Sequence, residues 1–124
     1  MRRTHQFLCY LILALGVLQF LWIGVATLAR AEEPGFPLHV LGGYLMTLLA
    51  LVSVVLAAVG RRDALVWSAG LLGVLVLQIL LVRLSEMVPL IGALHPVNAL
   101  IVLFFAATAA RAAPMGRRHA GAAT

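Results

Sequence analysis

The feature that most constrains this chain is a series of four apolar segments separated by short polar breaks. They cover approximately residues 7–29, 36–59, 65–84 and 90–110. About 20 apolar residues in a helix cross the roughly 30 Å hydrocarbon core of a bilayer. Only 10% of the residues are charged, and soluble domains typically carry about 25%. The sequence therefore predicts an all-α integral membrane protein with a four-helix transmembrane domain.

The breaks between these segments and the end of the chain define its domain organisation. Residues 30–35 contain two acids, a proline and a glycine, and residues 60–63 form a polar turn. Pro89 ends the third segment, because the residue before a proline disfavours helix. We expect the transmembrane domain to cover residues 1–112, and residues 113–124 to be a disordered basic tail.

The distribution of arginines predicts the orientation of the chain in the membrane. Lysine is absent, and with the N-terminus inside, seven of the nine arginines lie inside: Arg2, Arg3, Arg61, Arg62, Arg111, Arg117 and Arg118. Only Arg30 and Arg83 lie outside. This bias predicts that both termini are cytoplasmic, and the short connections favour an up-down-up-down bundle with the second and fourth helices diagonal. The alanine-rich, lysine-free composition favours a bacterial inner membrane.

A second interpretation of the N-terminus stays open. Ala29, Arg30 and Ala31 before an acidic pair resemble a signal-peptidase site, and the first arginines resemble an n-region. The apolar stretch, however, is about 22 residues long, against roughly 7–15 in a signal peptide. Cleavage would leave three helices, so an uncleaved first helix is the favoured interpretation.

Two histidines are the main candidates for chemistry, because polar residues inside a bilayer are costly and rare. His39 lies early in the second segment and His95 early in the fourth, so both are expected near the outer face. On diagonal helices they would face each other across the bundle axis. This arrangement suits a six-coordinate haem iron with one imidazole on each axial side.

Small and amide residues follow the two histidines at helical spacing. Gly42 and Gly43 lie three and four residues after His39, where missing side chains would open a slot for a flat macrocycle. Asn98 lies three residues after His95 and is a candidate to hydrogen-bond a ligand. The alternative is that the glycines only allow close helix packing, and that each histidine is an interhelical hydrogen-bonding residue.

Three further polar residues complete the candidate site. Gln19 and Gln78 lie in the first and third segments, where they would bond each other or orient a histidine as a ligand. Arg83 lies at the outer end of the third segment, where it would anchor the helix, pair with Glu86 or neutralise a haem propionate. Interhelical hydrogen bonding by the glutamines and interfacial anchoring by the arginine are the plainer interpretations.

Several other classes of function are excluded or disfavoured. A single cysteine, Cys9, permits no disulfide within the chain, and arginines confined to segment ends do not suggest nucleic-acid binding. Zinc needs three or four ligands, whereas only two histidines converge. His5 and His119 lie in the basic termini and are expected to be solvated. No catalytic residue is assigned, and a non-enzymatic role is favoured.

A short set of motifs resembles known membrane proteins. The motifs are Gln19 with Gly24, residues 39–43 (HVLGG), Gln78, and residues 92–100 (GALHPVNAL). Over about residues 7–112 they resemble a family of small bacterial four-helix membrane proteins of unknown function. A histidine opening the second and the fourth helix is also similar to membrane b-type cytochromes and to one half of haem A synthase. The resemblance implies bis-histidine haem, but the chain has half the helices of that enzyme, so its catalysis does not carry over.

The leading hypothesis is a small membrane protein that binds one haem b through His39 and His95. It would exchange electrons with a partner at the outer face or with quinone in the bilayer. The alternative is a cofactor-free subunit or assembly partner of a larger membrane complex, whose polar residues only join helices. A small-molecule carrier is less favoured, because the sequence has no broken helix deep in the bilayer.

Overall fold

The computed structural model describes residues 2–28, 35–60 and 62–112, and these are almost entirely helical. The helices are α1 (Arg2–Leu28), α2 (Gly35–Gly60), α3 (Arg62–Ser85), α4 (Pro89–Gly92) and α5 (Leu94–Arg111). Four segments are long and apolar enough to cross a membrane: α1, α2, α3 and the pair α4–α5. The predicted all-α class and the four long apolar helical segments are confirmed, and the described residues contain no strand.

The helices extend beyond the apolar segments that predicted them. The first begins at Arg2 rather than near Phe7, because hydropathy marks the part that suits lipid, whereas backbone hydrogen bonding continues through polar residues. The fourth span is interrupted at Ala93. Pro96 has no N–H to donate to the carbonyl four residues earlier, and its ring crowds that carbonyl of Gly92. The predicted signal-peptidase site, His119 and the tail 113–124 lie outside the described residues.

The helices form a ring in which each long helix packs against two neighbours. Contacts join α1 with α2, α2 with α3, α3 with α5, and α5 with α1, whereas α1–α3 and α2–α5 are diagonal pairs. The buried core on the axis is apolar and consists of Ile12, Met46, Ala50, Leu71, Leu75, Val102 and Ala106. Many large apolar side chains point outward, including Val17, Leu48, Val66 and Leu100. An apolar exterior is what a chain with lipid as its solvent requires.

A buried polar cluster closes the end of the bundle that contains the start of α1. His5 and Cys9 on α1 are fully buried with Ser53 on α2 and Ser68 on α3. The His5 Nε2 atom lies 2.9 Å from Ser68 Oγ, and the Cys9 thiol donates to Ser53 Oγ at 4.0 Å. The prediction that His5 is solvated is therefore wrong. Because α1 already begins at Arg2, His5 lies one turn before Cys9 on the same inward face.

We expect Ser68→Ala to lower the stability of the bundle by about 1 kcal/mol, the usual value of an interhelical hydrogen bond in a membrane protein. The substitution removes the hydroxyl that joins α3 to His5 across the bundle axis. Thermal unfolding in detergent measures the effect. Thr108→Ala is the control, because the Thr108 hydroxyl donates only to Phe104 O of its own helix. Equal unfolding temperatures for the two variants would assign no stabilising role to the His5–Ser68 contact.

Candidate functional site

The structure brings His39 and His95 together at the end of the bundle opposite the His5 cluster. Their ring centroids are 6.0 Å apart, and the ring planes are inclined at 59°. The two rings come from the diagonal helices α2 and α5, which have no backbone contact elsewhere. Both residues are partly buried. This is the pairing across the axis that the sequence predicts.

Each histidine is held by the glutamine of the helix that precedes it in the chain. The His39 Nδ1 atom lies 3.3 Å from the backbone oxygen of Gln19, and His95 Nδ1 lies 3.3 Å from the backbone oxygen of Gln78. A histidine that donates through Nδ1 carries its lone pair on Nε2, where it can bind a metal. The two glutamines do not bond each other. Each one instead joins its own helix to the helix of its histidine.

The glutamine side chains add hydrogen bonds between the same two pairs of helices, α1 with α2 and α3 with α5. Gln78 Nε2 donates to His95 O at 3.0 Å. In the orientation that satisfies its amide, Gln19 Nε2 donates to His39 O at 2.9 Å and its oxygen accepts from Gly43 N at 3.1 Å. The same nitrogen lies 2.7 Å from His39 Nδ1. With its nitrogen at this position, the Gln19 amide donates to a His39 ring that carries no proton on Nδ1. Rotated by 180°, the amide presents its oxygen and accepts from a ring that is protonated on Nδ1.

Asn98 supports Gln78 and does not line the space between the histidines. Its Nδ2 atom donates to Gln78 Oε1 at 2.6 Å and to Val74 O at 2.8 Å. Only 4% of the residue is exposed. The sequence predicted a hydrogen bond to a ligand, whereas the structure places Asn98 between α5 and α3, behind the glutamine.

The two glycines after His39 have different surroundings. A Cβ atom on Gly42 would collide with the Gln19 amide and lie 2.9 Å from Trp22 Cζ3, so Gly42 makes room for the side chains of α1. A Cβ atom on Gly43 would meet nothing within 4 Å, and Gly43 lines an open cavity. Of the two glycines, only Gly43 therefore borders open space, and a slot for a macrocycle there stays a prediction.

The cavity measures about 690 Å³ and runs between the histidines. This is within the range of about 300–1,000 Å³ that is usual for ligand sites. On α1 and α3 its walls are Gly16, Gln19, Phe20 and Ile23, and Leu75, Gln78, Ile79 and Val82. Around the histidines they include Phe36, Val40, Gly43 and Met46, and Gly92, Pro96, Ala99 and Val102.

The wall residues have similar spacings around the two glutamines and around the two histidines, as residues on one helix face do. On α1 and α3 they lie three before, one after and four after the glutamine in both cases. Around the histidines they lie three before and one, four and seven after, again in both cases. The cavity thus lies between two hairpins, α1–α2 and α3–α5, that present the same helix spacing to it, whereas Tyr44, Arg83 and Ser85 line it without a counterpart in the other hairpin. Glutamine and histidine are 20 residues apart in one hairpin and 17 in the other, so no fixed period is visible in the sequence.

Arg83 lies at the rim of the cavity, where it pairs with Glu86. The Arg83 Nη1 and Glu86 Oε1 atoms are 3.5 Å apart, and about two thirds of each side chain is exposed. The predicted pair with Glu86 is therefore present, and Arg83 also lines the cavity, whereas a contact with a propionate stays a prediction. At such exposure the ion pair itself contributes at most about 1 kcal/mol.

The distance between the histidine rings is that of two packed rings, and it equals the distance expected if both Nε2 atoms bound one metal ion. Two metal–nitrogen bonds of about 2 Å, plus about 1 Å from each nitrogen to its ring centre, give about 6 Å between centroids. Among the described residues no group of three or more histidine, cysteine or acidic side chains lies together. A site with two protein ligands is complete only if the ligand supplies the remaining donors, as the four nitrogens of a porphyrin do.

Comparison with known proteins adds no identification. No protein family, curated protein or solved structure matches this chain significantly. The resemblance to a small four-helix membrane family and to b-type cytochromes thus stays a prediction, and the case for a function depends on the geometry of the site.

Proposed function

We propose that this chain is a small membrane cytochrome, with one haem b bound between His39 and His95. The observation that carries the proposal is the pair of rings 6.0 Å apart, each facing a backbone oxygen through Nδ1. At His95 the backbone acceptor at Nδ1 fixes the tautomer and orientation of a ligating imidazole. At His39 the same tautomer requires the Gln19 amide to present its oxygen, not its nitrogen, to Nδ1. The cavity beside the rings has the volume and the apolar walls that a macrocycle needs.

The proposal includes the placement of the chain in the bilayer. The chain crosses the bacterial inner membrane four times in up-down-up-down order, with both termini in the cytoplasm, as the arginine distribution favours. The histidine pair then lies near the outer face. Electrons pass between the haem and an outer-face redox partner or membrane quinone, since both reach this end of the bundle.

A visible spectrum of the purified protein tests the proposal. The chain is expressed with haem available, purified in mild detergent, and measured as a reduced-minus-oxidised difference. We expect a sharp α-band of low-spin b-type haem at about one haem per chain. A colourless protein that also fails to bind added haem would refute the proposal. Metal analysis of the same sample separates haem iron from a bare metal ion at the two histidines.

A cofactor-free role is the second candidate, and the hydrogen bonds of the glutamines favour it. Gln78 donates to His95 O and accepts from Asn98, so the Gln78 amide is satisfied without any ligand. In that case the chain is a structural subunit or assembly partner of a larger membrane complex. It would remain colourless with added haem and co-purify with other membrane proteins.

A further inference from the structure

The cavity between the two hairpins has two sides that face lipid, and they are not equivalent. Successive residues of an α-helix are rotated by about 100° around its axis. Gly42 faces α1, so Val40, two residues earlier, lies on the side of α2 that faces away from α1 and toward α3. By the same turn Ile79 and Val82 lie on the side of α3 that faces α2. Phe20 and Pro96 mark the other side, between α1 and α5. The cavity therefore reaches lipid between α2 and α3 and between α1 and α5.

The α1–α5 side is narrowed by a close helix contact. A Cβ atom on Gly16 would lie 2.6 Å from Leu103 Cδ2, so this leucine fills the space beside Gly16. The residue that corresponds to Leu103 in the first hairpin, eight positions after the histidine, is Thr47. Its hydroxyl donates to Gly43 O of its own helix at 2.9 Å. The counterpart of Gly16 on α3 is Leu75, so each side has one leucine and one smaller residue at this level. The sides differ at Gly43, which borders open space on the α2–α3 side, where the second hairpin carries the methyl group of Ala99.

The two sides also differ in charge. Arg83 and Glu86 line the cavity at the α2–α3 side and are exposed there. The positions that correspond to them on α1, five and eight residues after the glutamine, are Gly24 and Thr27. Among the described residues that line the cavity, the only charged ones are thus at the α2–α3 side.

We infer that the ligand enters from the bilayer between α2 and α3, and that Arg83 holds its acidic edge at this opening. This inference rests on the proposed function and adds the route and orientation of the ligand. The apolar body slides between Val40 and Val82 to reach the histidines. Its carboxylates remain at the rim, where one takes the place of Glu86 beside the guanidinium. Arginine suits this position, because its planar fork matches a carboxylate.

The route is tested by blocking each side at corresponding residues. Val82 and Ile23 lie four residues after their glutamines and line the α2–α3 and α1–α5 sides. Val82→Trp and Ile23→Trp are reconstituted separately and mixed with phosphatidylcholine vesicles that contain haem b. We expect Val82→Trp to slow the growth of the haem absorption by about tenfold or more, equivalent to 1.4 kcal/mol in the barrier. Ile23→Trp adds the same bulk to the cavity wall, so it should lower the final haem content as much as Val82→Trp does while slowing uptake much less.

The orientation is tested with haem b and its dimethyl ester, whose carboxylates are capped. We expect Arg83→Gln to weaken the binding of haem b about two- to fivefold, as for one exposed ion pair, and to leave the ester unchanged. Glu86→Gln is the matched control and should not weaken the binding of haem b, because it removes a competitor for Arg83.

The outcomes separate the inference from the function on which it rests. If wild type binds haem but both tryptophan variants load at equal rates, or Ile23→Trp is the slower, the route is wrong. If Arg83→Gln weakens both haems equally, the orientation is wrong, and the cytochrome proposal stands in either case. If wild type takes up neither haem, the proposed function fails and the inference fails with it. A Val82→Trp protein that does not fold is replaced by Val82→Phe, paired with Ile23→Phe.

Discussion

His39→Ala and His95→Ala should each abolish the low-spin haem spectrum of the purified protein. Each substitution removes one of the two rings whose centroids are 6.0 Å apart, and the remaining histidine cannot hold the iron from both sides. Removing a residue that only hydrogen-bonds to a metal ligand already lowers the affinity for the metal about 10- to 100-fold. Removing the ligand itself should lower the affinity further. Haem content and the difference spectrum of each variant measure the effect.

Two controls distinguish a lost ligand from a lost fold. Added imidazole should restore the low-spin spectrum of His39→Ala, because it supplies a nitrogen donor to the space the ring vacated. Ser68→Ala changes the opposite end of the bundle and should retain full haem. If the histidine variants keep their haem, the two histidines are not its axial ligands. If wild type binds no haem and the variants only unfold at a temperature lowered by the equivalent of about 1 kcal/mol, the pair is an interhelical contact and the cofactor-free role is correct.

The sequence predicts the helices of this chain better than it predicts their ends. Continuous apolar segments leave no alternative to four spans, because a chain in lipid must satisfy its backbone within each helix. The N-terminal end of α1 could not be predicted from hydropathy. The apolar segment begins at Phe7, whereas the helix begins at Arg2. That difference is why His5 is buried rather than solvated.

The sequence indicates that His39 and His95 come together, but it does not predict the contacts of the residues around them. His39 and His95 lie at similar positions in the second and fourth segments, which indicates that they meet. Helix periodicity gives the face on which each histidine lies, and the order of the helices in the bundle places their two helices on a diagonal. Gly42 and Asn98 correspond to each other, three residues after a histidine, and both contact a glutamine instead of a ligand. Helical spacing gives the face on which a residue lies, but not which neighbouring side chain fills the space beside it.

Gly42→Ala should destabilise the bundle and weaken haem binding, although it adds a single methyl group. The methyl group would collide with the Gln19 amide and lie 2.9 Å from Trp22 Cζ3. Overpacking of this kind typically costs about 1–3 kcal/mol. Displacing the amide also breaks its bonds to His39 O and Gly43 N, which loosens the helix segment that carries the histidine. We expect the unfolding temperature to fall and haem affinity to drop about tenfold, as for an outer-shell partner.

Gly43→Ala is the matched control for Gly42→Ala, one residue further along the same helix. Its Cβ atom would meet nothing within 4 Å, and the corresponding residue of the second hairpin, Ala99, already carries that methyl group beside the cavity. Thermal unfolding and haem titration should therefore leave Gly43→Ala close to wild type. If the two variants lose stability and affinity equally, α2 requires glycine for its backbone rather than for Gln19. If only Gly42→Ala is affected, the junction between Gln19 and His39 holds the first ligand in place, as Asn98 and Gln78 hold the second.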